Sequence, residues 1–226
     1  MSAAQDDARE NRLIDLFNLT RPENRVRHGV DAVLAQDGRD YEFELKSATT
    51  KSRNISTVRD LGPDHIAKWR TKHWIMSFFD GDKLLYCQYG SPDAMRPWIE
   101  SKWEYIKADF ELAKYVPQHI DLQTMYDIIG KKEVYSKEDA KRLHKSQLSA
   151  AEYKDKMDSK NGYTPDRMLD IFRDRARYVL ERGSTLNNPH ISGSYLSSWP
   201  RITKDYASEL RRLVKEWQDT KPQKQP

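Results

Sequence analysis

The sequence contains a single cysteine, Cys87. One thiol excludes an internal disulfide framework and any cysteine-rich zinc centre, and it fits a reducing compartment. Long apolar runs are also missing: none approaches the roughly 18 residues that a membrane span needs. No apolar stretch closely follows the opening MSAAQDDARENR, so these residues do not read as a signal peptide. Nor does one sign of charge dominate. Lys and Arg number 39 against 35 Asp and Glu, a net of +4, which excludes a binder held by net charge alone. A phosphate-cradling glycine loop and a serine nucleophile elbow are both lacking. The histidines at 28, 65, 73, 119, 144 and 190 show no zinc spacing. These absences lead to the expectation of a soluble, cytoplasmic protein with no membrane partner.

What is present is charge of both signs: 33% of the 226 residues are charged and 37% are apolar. Such a chain can bury a core and still offer a basic groove with acidic groups placed elsewhere. Residues 5–19 carry the helical stripe Leu13, Ile14 and Phe17, with Glu10 at its head. VDAVLA at 30–35 reads as a short apolar strand. An Asp-Gly turn at Asp37 and Gly38 then sends the chain into a second strand, YEFELKSAT at 41–49. A polar, basic loop follows. PDHIAKWRTKH at 63–73 is helical, with Ile66 and Trp69 facing inward and His65, Lys68 and Lys72 on another face. WIMSFF and KLLYCQYG are two further strands, and Ser91 with Pro92 opens a helix striped by Ile99, Trp103, Ile106 and Phe110.

This order predicts an α/β (mixed α+β) protein: a central mixed sheet flanked by helices. From about residue 121 only helices are expected. Ser136 and Asp139 form a capping box for one long charged segment, KEDAKRLHKSQLSAAEYKDKMD, expected to lie exposed or to become an arm over a partner. Thr164, Pro165 and Gly183 bracket another helix, whose buried side should be Met168, Leu169, Phe172, Ala176, Val179 and Leu180. GSTLNNPHISGSYLSSWP reads as a long loop and TKDYASELRRLVKEWQ as a last amphipathic helix.

One position stands out. Asp31 sits among apolar residues between Val30 and Ala32, and a buried carboxylate needs a partner. If the two strands pair, Asp31 and Glu44 converge, and Lys46 shares the Glu44 face because side chains alternate with period two. Two carboxylates with a neighbouring backbone carbonyl suit an oxygen-seeking ion such as Mg²⁺. A lysine beside that ion would orient a water and stabilise charge on a phosphate. The bland alternative is a solvated strand face of Glu42, Glu44 and Lys46, which leaves Asp31 unexplained.

Asp31, a twelve-residue gap and then Glu44-Leu45-Lys46 resembles the catalytic motif of the PD-(D/E)XK nuclease superfamily, with Val30 where the motif has proline. Within that superfamily the chain looks most like a type II restriction endonuclease, over roughly its first half. The resemblance implies a restriction-endonuclease-like core over residues 1–120. It leaves 121–226 as a helical region for recognition, wrapping and dimerisation, continuous with the core. It also implies catalytic roles for Asp31, Glu44 and Lys46, and with less support for Glu10. Asp31, Glu44 and the Leu45 carbonyl would hold one or two Mg²⁺ ions. The product ends would be 5′-phosphate and 3′-hydroxyl. The partner would be double-stranded DNA with a palindromic site, cut by a homodimer in a prokaryotic cell.

Phosphate contacts are expected from Lys51, Arg53, Arg59, Lys68 and Lys72, with His65 nearby. Base reading falls to the loop holding Asn187, Asn188, His190, Ser192, Ser194 and Tyr195, since Asn can bond an adenine edge at two points. Each of these residues also has an ordinary surface or turn reading. Two rival functions share much of the pattern. One is a repair or structure-selective nuclease of the same fold. The other is a DNA-binding module without catalysis.

Overall fold

The structure, a computed structural model, describes residues 3–22, 29–50 and 54–222. Two compact units divide the chain: residues 1–103 with 186–226, and residues 104–185.

The first unit is built on a five-stranded sheet. An N-terminal helix, α1 (Ala3–Phe17), precedes β1 (Ala32–Gln36) and β2 (Arg39–Thr49). These strands pair antiparallel from Gln36↔Arg39 to Ala32↔Phe43. Asp37 and Gly38 at the turn both have positive φ, 52° and 71°, the backbone that a two-residue hairpin of this hand requires. A short β3 (Asn54–Ser56) and helix α2 (Pro63–Trp69) follow. Next come β4 (His73–Asp80), parallel to β2, and β5 (Lys83–Gly90), antiparallel to β4. Helix α3 (Pro92–Tyr115) then leads out of the unit. After the second unit the chain returns with β6 (His190–Ser192), β7 (Arg201–Ile202) and α8 (Tyr206–Asp219). The sheet order is β1-β2-β4-β5-β7, and β3 with β6 makes a separate two-stranded sheet.

Alternation along β2 assigns the two faces. Tyr41, Phe43 and Leu45 join Leu13 and Phe17 of α1, Ile75, Cys87, Ile202, and Leu210, Leu213 and Val214 of α8 in one apolar core. Glu44 and Lys46 pair in register with Trp74 and Met76 and so point to the opposite face. There Trp69 of α2 meets Trp74 edge-on at 5.1 Å and Trp98 of α3 at 6.2 Å.

The second unit is helical, with its own core of Met125, Tyr135, Ala140, Tyr153, Tyr163, Met168, Leu169, Ile171 and Phe172. Its elements are α4 (Leu122–Ile129), α5 (Lys137–His144), α6 (Ala150–Asp155) and α7 (Pro165–Ser184).

Several expectations are corrected here. Asp31 lies immediately before β1, not within it. The long charged segment is two helices, broken where Lys145 and Ser146 adopt positive φ. It is also not an exposed arm, because Ala140, His144 and Tyr153 are buried. On α7 the expected Met168, Leu169 and Phe172 are buried and Ile171 joins them, but further along Val179 is 52% exposed. The stretch after residue 121 also contains strands, since β6 lies within the segment read as a loop and β7 directly follows it.

Candidate active site

The β1–β2 hairpin creates the site by stopping. Its ladder ends at Ala32↔Phe43, and the Leu45 N–H beyond it donates to Asp31 Oδ2 at 2.9 Å. A side chain thus completes the backbone pairing that the strand leaves undone, which fixes the carboxylate beside Glu44. Asp31 is 9% exposed and Glu44 4%. Lys46, two residues along the same face, donates from Nζ to Glu44 Oε1 at 2.8 Å. Lys68, from α2, places its Nζ 3.5 Å from Glu44 Oε2.

The electrostatics separate the two acids. Burial pushes the Asp31 carboxyl up, and the neighbouring Glu44 charge adds to this. Burial also works against the Glu44 charge, but Lys46 and Lys68 outweigh it and hold Glu44 below the usual carboxylate range. Desolvation would discharge Lys46, yet the Glu44 and Asp31 carboxylates more than offset it and keep the ammonium charged.

Glu10 stands at the edge of this cluster. Its charge acts on both Asp31 and Lys46, while its Oε1 accepts from Arg21 Nη2 at 3.0 Å. Arg21 escaped the sequence reading, and nothing in its local pattern marks it.

Among the described residues, no three His, Cys, Asp or Glu side chains gather as a metal cluster. A cation would rest on two carboxylates and a backbone oxygen. The donors fit a hard divalent ion, because all are oxygens and because Glu44 Oε2 is buried without a hydrogen-bond partner.

The other candidates divide by position. Lys51 and Arg53 lie outside the described residues. Arg59 is exposed, and the His65 ring lies 5.8 Å from Trp69. Lys72, expected at a phosphate, is instead 1% exposed, with its Nζ 3.9 Å from Glu42 Oε2. The β3–β6 pairing, Asn54↔Ser192 to Ser56↔His190, joins the loop after the Glu-x-Lys strand to the predicted reading loop. Asn187 is exposed. Asn188, with φ 50°, accepts from the Thr57 N–H at 3.2 Å. The Ser192 and Ser194 hydroxyls bond each other at 2.9 Å. His190 is exposed, though its carbonyl accepts from Trp98 Nε1. Tyr195 is turned inward: its hydroxyl donates to the Ala94 carbonyl at 2.7 Å and accepts from the Trp98 N–H at 3.2 Å.

A carboxylate pair ordered by the end of a hairpin, with a charged lysine beside it on a mixed sheet, is the arrangement of the PD-(D/E)XK nucleases. Comparison with known families agrees: residues 4–114 match the family described as restriction endonuclease PvuII. Over those residues the chain is that of a type II restriction endonuclease, a site-specific deoxyribonuclease of the PD-(D/E)XK fold. The match runs from α1 nearly to the end of α3, so β6, β7, α8 and the whole of α4 to α7 lie beyond it. No curated protein matches the chain. Enzymes of this family typically need a divalent metal. No helix among the described residues is long and apolar enough to cross a membrane.

Proposed function

We propose that the chain is a Mg²⁺-dependent endonuclease acting as a homodimer on a palindromic DNA site and leaving 5′-phosphate and 3′-hydroxyl ends. The supporting observation is the convergence of Asp31, Glu44 and Lys46 at one buried point, with Asp31 tied to the Leu45 N–H. Asp31, Glu44 and the Leu45 carbonyl would hold the ion, which when bound supplies Lewis-acid polarisation of the scissile phosphate and acidifies a water. The chain's own residues do the remaining work. The Asp31–Leu45 hydrogen bond orients one carboxylate. Lys46 donates to the attacking water, and its fixed positive charge stabilises the negative charge that grows on the phosphate. Arg59, which is exposed, contacts the backbone.

Base reading falls to the exposed face of the β6 region. Asn187 is the better candidate for an adenine edge, because the Asn188 side-chain oxygen is already taken by Thr57. DNA wrapping and dimer contacts fall to the helical stretch and its arginine-bearing α7.

Plasmid digestion with and without Mg²⁺ tests the reading. Discrete fragments with Mg²⁺ alone in the buffer support it. Lys46→Ala should abolish cutting and preserve site-specific binding, and wild-type cutting by that variant would refute the mechanism. Equal digestion of any mismatched duplex would favour a structure-selective nuclease instead.

A further inference from the structure

The site carries more positive charge than the reaction above uses. Glu44 Oε1 faces Lys46 Nζ at 2.8 Å, and Oε2 faces Lys68 Nζ at 3.5 Å, so both oxygens of one carboxylate meet an ammonium. A third lysine lies close by. Lys72 is 1% exposed, its Nζ has no hydrogen-bond partner, and the Glu42 oxygen it approaches is 3.9 Å away. Keeping an ammonium buried without a hydrogen bond is costly, and methionine would fill similar space without that cost. The three lysines also sense one another's surroundings. Lys72 acts on the Glu44 carboxylate, and burial together with the Lys68 charge holds Lys72 below the usual lysine range. Three lysines thus stand around two buried carboxylates before any metal arrives.

A divalent ion entering this site meets repulsion, and it meets it chiefly at Glu44 Oε2. Lys46 is spoken for by the chemistry. Lys68 comes from a different element, sits at the longer distance, and has a side chain 22% exposed, so it can withdraw. We propose that Lys68, reinforced by the buried charge of Lys72, is a resident counter-ion that competes with the divalent metal for Glu44. The lysines of α2 and the turn after it thereby set how tightly the enzyme takes metal. Lys68 is then a positioning residue that acts on Glu44, and metal uptake requires it to leave Oε2. The inference rests on reading Asp31 and Glu44 as the metal-holding pair.

Calorimetric titration of the full-length, DNA-free protein with Mn²⁺ alone tests it. Removing one positive charge within a few ångströms of a doubly charged ion should tighten binding about tenfold in Lys68→Met. Lys68→Gln should do the same, so the test survives if one variant folds poorly. Lys72→Met should tighten binding by less, and Lys68→Arg, which keeps the charge, should stay near wild type. Two failures can be told apart. If Glu44→Gln abolishes Mn²⁺ binding while Lys68→Met and Lys68→Gln leave it unchanged or weaker, the counter-ion role is wrong and the metal site stands. If Asp31→Asn and Glu44→Gln bind Mn²⁺ like wild type, the metal site itself is wrong and the counter-ion role falls with it.

Discussion

Asp31 acts as the last rung of a ladder to which it does not belong: its Oδ2 accepts from the Leu45 N–H at 2.9 Å, just past the Ala32↔Phe43 pair. That bond separates two properties that mutation usually removes together. Asp31→Asn keeps an acceptor for Leu45 and loses the charge. Cutting should fall by at least about 100-fold, because even residues that merely orient a metal ligand cost 10–100-fold, while the melting temperature stays close to wild type. Asp31→Ala also orphans a buried N–H and should lose a further 1–2 kcal/mol or so of stability. Supercoiled-plasmid cleavage and urea unfolding of both variants check this.

Lys72→Met should raise stability. The native amine is buried and unbonded, and replacing such a group by an apolar one of similar volume gains roughly 1–3 kcal/mol. Chemical denaturation gives the value directly, and a destabilised variant would mean that the approach to Glu42 matters more than its 3.9 Å suggests.

His73 should give the fold an acid-sensitive range. The ring is 2% exposed and bonded through Nδ1 to the Tyr89 hydroxyl at 2.7 Å. Burial lowers its pKa from 6.5 to about 3. A group depressed on folding contributes stability above its unfolded pKa and loses it as pH falls. Stability should therefore decline as pH drops from 6.5 toward 3, and His73→Phe should flatten that decline. Urea midpoints taken across this range, well away from the pH used for cleavage, measure it.

Gly90→Ala should be disruptive despite its small size. A Cβ on Gly90 would run into the six-membered ring of Trp199. That ring is buried, and the main chain that carries it is held because the Trp199 and Leu196 carbonyls both accept from Gln88 Nε2, at 3.3 and 2.7 Å. Forcing a methyl into such a contact costs about 1–3 kcal/mol. Trp199 follows the β6 segment, so DNA binding should weaken as well, which gel-shift titration would show.

Which features the sequence discloses depends on the range of the interaction behind them. The hairpin was readable because its signals are local: alternation over residues 41–46, a turn dipeptide, and an aspartate out of place among apolar residues. The acid pair and its lysine follow from those signals and period-two geometry alone. The β3–β6 pairing was not readable. Each strand has three residues, too few for a period, and their partners are more than a hundred residues apart. The break after α5 did leave a trace. Ser149 and Glu152 form a second capping box, a start signal inside what was read as one continuous helix. The burial of Lys72 was not readable, because no one-dimensional pattern shows that the residues between α2 and β4 lie beside the acids of β2.

The return of the chain to its first unit carries a consequence for synthesis. Strands β1 to β5 emerge from a ribosome early, but the apolar face formed by Phe43, Leu45 and Ile75 is covered partly by Leu210, Leu213 and Val214. Those residues are made only after the entire 104–185 stretch. The sheet therefore waits, partly bare, for the final helix. A chain stalled anywhere before residue 206 holds Asp31, Glu44 and Lys46 on an unfinished support. The candidate site is translated before the helix that completes the core beneath it.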